Sequence, residues 1–176
     1  MTDRFTICLP IILKFEGGYS AHPSDPWGAT NKGITSSSYD SFRNAHQLPL
    51  RPVKEIEPGE VIAIYAEGYW HPAGCENLPA PLDLIQFDTA VQRGPVKAVK
   101  MLQAILGVPV DGIFGAQTRR TAEMMMGKGV CVWYLKARET HYKGRVEEDP
   151  TQAVFLKGWL NRLAALKTAA GLDGEA

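Results

Sequence analysis

Glu16 and Asp25 stand nine positions apart in a chain of 176 residues, separated by Gly17, Gly18 and a run of turn-forming residues that can fold the second carboxylate back toward the first. Hydrolysis of a glycosidic bond commonly uses such a pair. One carboxylic acid protonates the leaving oxygen, and a second, ionised carboxylate activates water or stabilises the cationic transition state. The apolar neighbours Phe15 and Tyr19 would shield Glu16 from water, an environment that suits the acid role. The same two residues also fit plainer roles, an ion pair at Glu16 and a loop-capping Asx turn at Asp25.

The elements that must position these groups follow from periodicity. Apolar Phe5, Cys8, Leu9, Ile12, Leu13 and Phe15 have the spacing of a helix with one buried face, which puts Glu16 at its C-terminal end. Gly17 and Gly18 stop that helix. The segment from Tyr19 to Thr35 is dense in Pro, Gly, Ser, Asp and Asn and predicts turns with short strands at most, an irregular loop long enough to be functional. Helices are expected over about 36–46, 58–70, 82–93, 95–106, 115–126, 129–145 and 152–166, with a frayed end from Gly171 onward. Thr35 reads as the N-cap of the first of these, and Pro58 suits the first turn of the second.

Composition bounds the function. Apolar residues make up 45% and charged residues 22%, values of a globular chain with a real core. Nineteen Lys and Arg balance nineteen Asp and Glu, so the basic footprint of a nucleic-acid binder is absent and no such partner is expected. Residues 1–95 carry 7 basic and 11 acidic side chains, and residues 96–176 carry 12 and 8, which makes the second half modestly positive. Cys8, Cys75 and Cys131 are widely spaced and His22, His46, His71 and His141 show no ligand spacing, so neither a disulfide framework nor a metal or other cofactor is expected. The apolar stretch Phe5 to Phe15 contains Pro10 and Lys14 and reads as a helix rather than a signal peptide. With no run of 18 or more apolar residues, no membrane insertion is expected, and the chain would be made in the cytoplasm, so that any work outside it needs a separate export or lysis route.

The stretch KFEGGYSAHPSDPWGATNKGIT resembles the signature of the glycoside hydrolase 108 family of N-acetylmuramidases, found in phage endolysins and secretion-associated muramidases. The resemblance rests on Glu16, Gly17, Gly18 and Tyr19, then Asp25, Pro26 and Gly28, then Thr30 and Asn31, then Gly33, Ile34 and Thr35. Trp27 stands where the family usually has glycine, and its ring could stack on a sugar face or pack in the loop. The resemblance implies Glu16 as the catalytic acid, with Asp25 and Thr30 stabilising the transition state or holding water, and Tyr19, Asn31 and Trp27 as substrate-binding residues. Glu16 and Asp25 followed by Thr30 are also similar to the acid, aspartate and threonine of phage-type lysozymes. IYAEGYW at 64–70 and FDTAVQRG at 87–94 look like the family's later helices, with Gln92 in place of a commoner Asn and Asp88 reading as a buried helix carboxylate.

Residues 98–122 resemble small helical peptidoglycan-binding modules, through Leu102-Gln103, Gly107-Val108, Asp111-Gly112, Gly115 and Thr118. The motif reads as a turn builder more than a contact surface. The expected architecture is therefore mainly α: a lysozyme-like helical fold with a small irregular or β loop region and a helical peptidoglycan-binding lobe. A catalytic lobe over 1–95 and a binding lobe over 96–170 would pack as one compact, monomeric unit. The implied substrate and partner is peptidoglycan. Rival readings are a lytic transglycosylase, which cleaves the same bond without water, and a non-catalytic wall-binding accessory protein.

Overall fold

A computed structural model describes residues 3–21, 28–125 and 127–174. Eight α-helices and one two-stranded hairpin are present among the described residues, so the chain is mainly helical, and it divides into two compact units, Met1–Gly68 and Tyr69–Ala176.

The first unit opens with α1, Arg4–Glu16, capped by the Asp3 side chain, which accepts from the Phe5 N–H at 3.1 Å. Phe5, Cys8, Leu9 and Ile12 fall on one face of it and are buried, so the apolar stretch near the N-terminus is core material. A hairpin of β1, Thr30–Asn31, and β2, Ile34–Thr35, follows. The Thr35 side chain then accepts from the Ser38 N–H at 3.1 Å and starts α2, Ser36–Ala45. After a 3-10 turn at Val53–Glu55, a reciprocal cap between Glu57 and Glu60 with Pro58 at the first position starts α3, Pro58–Tyr65. A π-helical turn at Ala66–Trp70 continues it.

Glu60 is also the centre of a polar cluster that ties α2 to α3. Tyr39 is fully buried and donates its hydroxyl proton to Glu60 Oε2 at 2.6 Å, Arg51 pairs with the same oxygen at 2.6 Å, and Arg43 pairs with Oε1. Burial alone would raise the Glu60 pKa, but hydrogen bonds from the Glu57 N–H, Tyr39 and Arg51 outweigh it and bring it to about 2.

The second unit contains α4, Leu82–Arg93; α5, Pro95–Leu106; α6, Ala116–Met124; α7, Lys128–Glu148; and α8, Ala153–Ala169. Helix α4 packs on α5 and α7, and α8 packs on α7. Asp88 on α4 is fully buried. It accepts from Arg138 on α7 at 2.7 Å and from Nε of Arg162 on α8 at 2.8 Å, so one carboxylate joins three helices. Gln103 plays the matching part in the α5–α6 turn. Its amide donates to Asp111 at 2.7 Å and Thr118 at 3.2 Å and accepts from the Gly112 N–H at 2.8 Å, so the motif builds the turn.

One detail differs from expectation. The end does not fray at Gly171: that residue adopts φ +66°, its N–H donates to Thr168 O at 3.0 Å, and Leu172 is fully buried. Trp133 on α7 and Phe155 on α8 are large apolar side chains that stay 55% and 53% exposed. Cys8, Cys75 and Cys131 are buried, and none of them forms a disulfide among the described residues. No helix among the described residues is long and apolar enough to cross a membrane.

Candidate active site

Gly17 ends α1 with φ +73°, a left-handed conformation that glycine adopts without a Cβ clash, and this leaves Glu16 on the last helical residue. Oε1 of its carboxyl group is buried. Oε2 faces the tip of the hairpin. A Cβ built at Gly33 would lie 2.6 Å from Oε2 and 3.0 Å from the Tyr65 hydroxyl, so only a residue without a side chain lets the backbone come this close.

The hairpin brings Gly33 there. Thr30 pairs with Thr35 and Asn31 with Ile34, leaving Lys32 and Gly33 as a two-residue turn with φ of 51° and 75°. Positive φ at both central positions gives the turn whose twist matches paired strands. Lysine is strained in that conformation, and the Tyr65 hydroxyl donates to its carbonyl at 2.7 Å, holding the turn in place. Tyr65 is buried on α3. The turn is therefore fixed from the C-terminal end of α3, the helix whose first turn carries Glu60.

Strand alternation separates the two motif residues of β1. Asn31 lies on the face of buried Ile34, and its amide nitrogen donates to the Val53 carbonyl at 3.2 Å, fastening the hairpin to the 3-10 turn. Thr30 lies on the other face, half-buried, and its hydroxyl makes no hydrogen bond among the described residues. Its backbone exchanges hydrogen bonds with Ser20 at 2.8 and 2.9 Å, which draws the segment after Glu16 alongside the hairpin. Tyr19, adjacent to Ser20, is 47% exposed, with the Lys54 ammonium 5.8 Å from its ring centroid. Asp25 and Trp27 lie outside the described residues.

The structure thus joins Glu16, Gly33 and Tyr65 directly and links Thr30 and Asn31 to them through one hairpin. Sequence reasoning missed the positioning parts of Gly33 and Tyr65. The signal for the first was Asn31-Lys32-Gly33 between two short β-prone pairs, a turn sequence. Tyr65 carried none, because a buried hydroxyl's partner depends on tertiary packing.

The chain is similar to known proteins over its whole length. The family model described as "Glycosyl hydrolase 108" matches residues 9–94, and one described as "Predicted Peptidoglycan domain" matches residues 97–164. A solved structure, titled "Structure of Brucella abortus SagA", is 32% identical, with the match covering 100% of this chain and 99% of that one at a TM-score of 0.80. No curated protein matches the chain. Fold and matches together define a lysozyme-like glycoside hydrolase that acts on peptidoglycan and carries a peptidoglycan-binding domain. The chain belongs to the glycosyl hydrolase 108 family. The hydrolase match extends past Gly68, so its last helix, α4, lies in the second compact unit.

Proposed function

We propose that the chain is an N-acetylmuramidase that hydrolyses the β-1,4 bond between N-acetylmuramic acid and N-acetylglucosamine, with Glu16 as general acid. The observation that carries this reading is the Glu16 carboxyl group at the end of α1, one oxygen buried and the other facing side-chain-free Gly33. A proton passes from Glu16 to the glycosidic oxygen as the carbon–oxygen bond breaks. Asp25, assigned from the motif, stabilises the positive charge that develops on the sugar ring, and water held by Thr30 completes hydrolysis. Tyr19 and Trp27 offer ring faces to sugars, and Asn31 contributes by fixing the hairpin.

In its setting the protein is a monomeric phage endolysin. It is made in the host cytoplasm and reaches the wall in the periplasm after holin-dependent release. A holin gene beside its own would support that setting, and a secretion operon would point to the other.

Mass spectrometry of peptidoglycan digested by the full chain tests the reaction. Hydrolysis leaves reducing N-acetylmuramic acid ends. Anhydro-muramic ends would replace this reading with a lytic transglycosylase, and absence of any released fragment would leave a wall-binding accessory protein.

A further inference from the structure

The second unit holds a cavity of about 410 Å³ lined by Gln92 and Arg93 of α4, Lys97 of α5, and His141 and Arg145 of α7. Three lysine or arginine side chains and a histidine converge there, and no carboxylate lines it. Elsewhere in the chain, the buried and half-buried arginines Arg43 and Arg51 are neutralised by Glu60, and Arg138 and Arg162 by Asp88. Among the described residues Arg93, Lys97, His141 and Arg145 form no ion pair. Arg145 instead donates to the Gln152 amide at 3.0 Å and lies 4.9 Å over the Trp159 ring, which aims it without neutralising it.

The gathering of cations has an electrostatic cost. Burial first, then the charges of Arg93, Arg145 and Lys97, hold His141 below its ordinary pKa, with Glu148 acting in the opposite sense. Burial lowers Arg93 as well, with Arg138 and Arg145 adding to it against Tyr142 and Tyr134. A bound anion would relieve this repulsion, and two planar guanidinium groups suit a carboxylate's pair of oxygens.

We propose that this pocket binds the carboxylates of the peptidoglycan stem peptide, a part of the substrate distinct from the sugar chain cleaved at Glu16. The proposal rests on the chain acting on peptidoglycan, and is independent of which residue supplies the proton. Gln92 and Arg93 belong to the segment matched as hydrolase, and Lys97, His141 and Arg145 to the segment matched as peptidoglycan domain, so the pocket is built where the two matched sequences meet. Gln92 adds an amide able to hydrogen-bond a peptide unit.

The test titrates the full chain with the soluble tripeptide L-alanyl-γ-D-glutamyl-diaminopimelate, followed by calorimetry and by the His141 ring signals in NMR. Expected are saturable binding that weakens with salt, an upward move of the His141 titration on binding, and a loss of about tenfold or more in affinity when the peptide carboxyls are amidated. Lys97→Glu, at an exposed position that keeps the fold, and Arg145→Gln should each weaken binding by about tenfold. Glu16→Gln should bind the tripeptide like wild type, which separates this result from the fate of the muramidase reading. Unchanged binding by Lys97→Glu, equal binding of the amidated peptide, or inorganic phosphate binding as tightly as the tripeptide would overturn the assignment.

Discussion

Gly33 abuts Glu16 so closely that no side chain fits between them: the Cβ that any other residue would bring to position 33 falls 2.6 Å from Glu16 Oε2 and 3.1 Å from Glu16 Cβ. Gly33→Ala must therefore displace the carboxyl group or the hairpin, and it also places a side chain at φ +75°. The conformational cost is about 1–2 kcal/mol. The catalytic cost should be larger, since displacing a reacting group by about 1 Å costs about 10²-fold in rate. Peptidoglycan clearance should fall about 10²-fold, while circular dichroism shows a folded protein with a modestly lowered Tm.

Tyr65→Phe removes the hydroxyl that donates to Lys32 O at 2.7 Å and leaves the ring in the core. Stability should drop by about 0.5–1.5 kcal/mol. Because the lost bond holds the turn facing Glu16, kcat should fall further than stability alone explains. Comparing chemical denaturation with turnover checks this, and equal activity would remove Tyr65 from the positioning of the site.

How legible all this was in the sequence differs from element to element. Helix α1 and its end at Glu16 were readable because Phe5, Cys8, Leu9 and Ile12 repeat at helical spacing and glycine follows directly. The Thr35 cap and Pro58 start are local chemistry and were equally visible. The contact of Gly33 with Glu16 joins residues 17 positions apart through a hairpin of two-residue strands, too short to show alternation. The fraying expected at Gly171 failed for a related reason: Leu172 is held by tertiary burial, which the polar, glycine-containing tail does not announce.

The Glu60 cluster sets an acid limit on the first unit. Glu60→Gln leaves buried Arg43 without its countercharge and should cost about 3–5 kcal/mol in urea denaturation. The carboxylate is held at about 2 in the folded chain against an ordinary 4.5. Its contribution is thus complete above pH 4.5 and is lost as pH falls through about 2. Wild-type stability should decline across that window, and the Gln variant should decline less.

Asp88 makes the same demand of the second unit. It accepts from Arg138 and Arg162, and Asp88→Asn should destabilise by about 3–5 kcal/mol. A fragment ending at residue 95 would keep α4 but lose both partners and expose Leu82, Leu84, Ile85 and Phe87, each worth about 1.5–3 kcal/mol when buried. That approaches or exceeds a domain's stability of about 5–15 kcal/mol. The fragment should be insoluble or lack a cooperative melt, and a soluble, active one would show that the catalytic part folds alone.

The central claim is that Glu16 supplies the proton. Glu16→Gln keeps nearly the same shape and cannot donate it, so the purified, folded variant should clear a peptidoglycan suspension at least about 10²-fold more slowly than wild type. Asp25→Asn, assayed beside it, should lose the same or less. Clearance by Glu16→Gln at the wild-type rate would contradict the account.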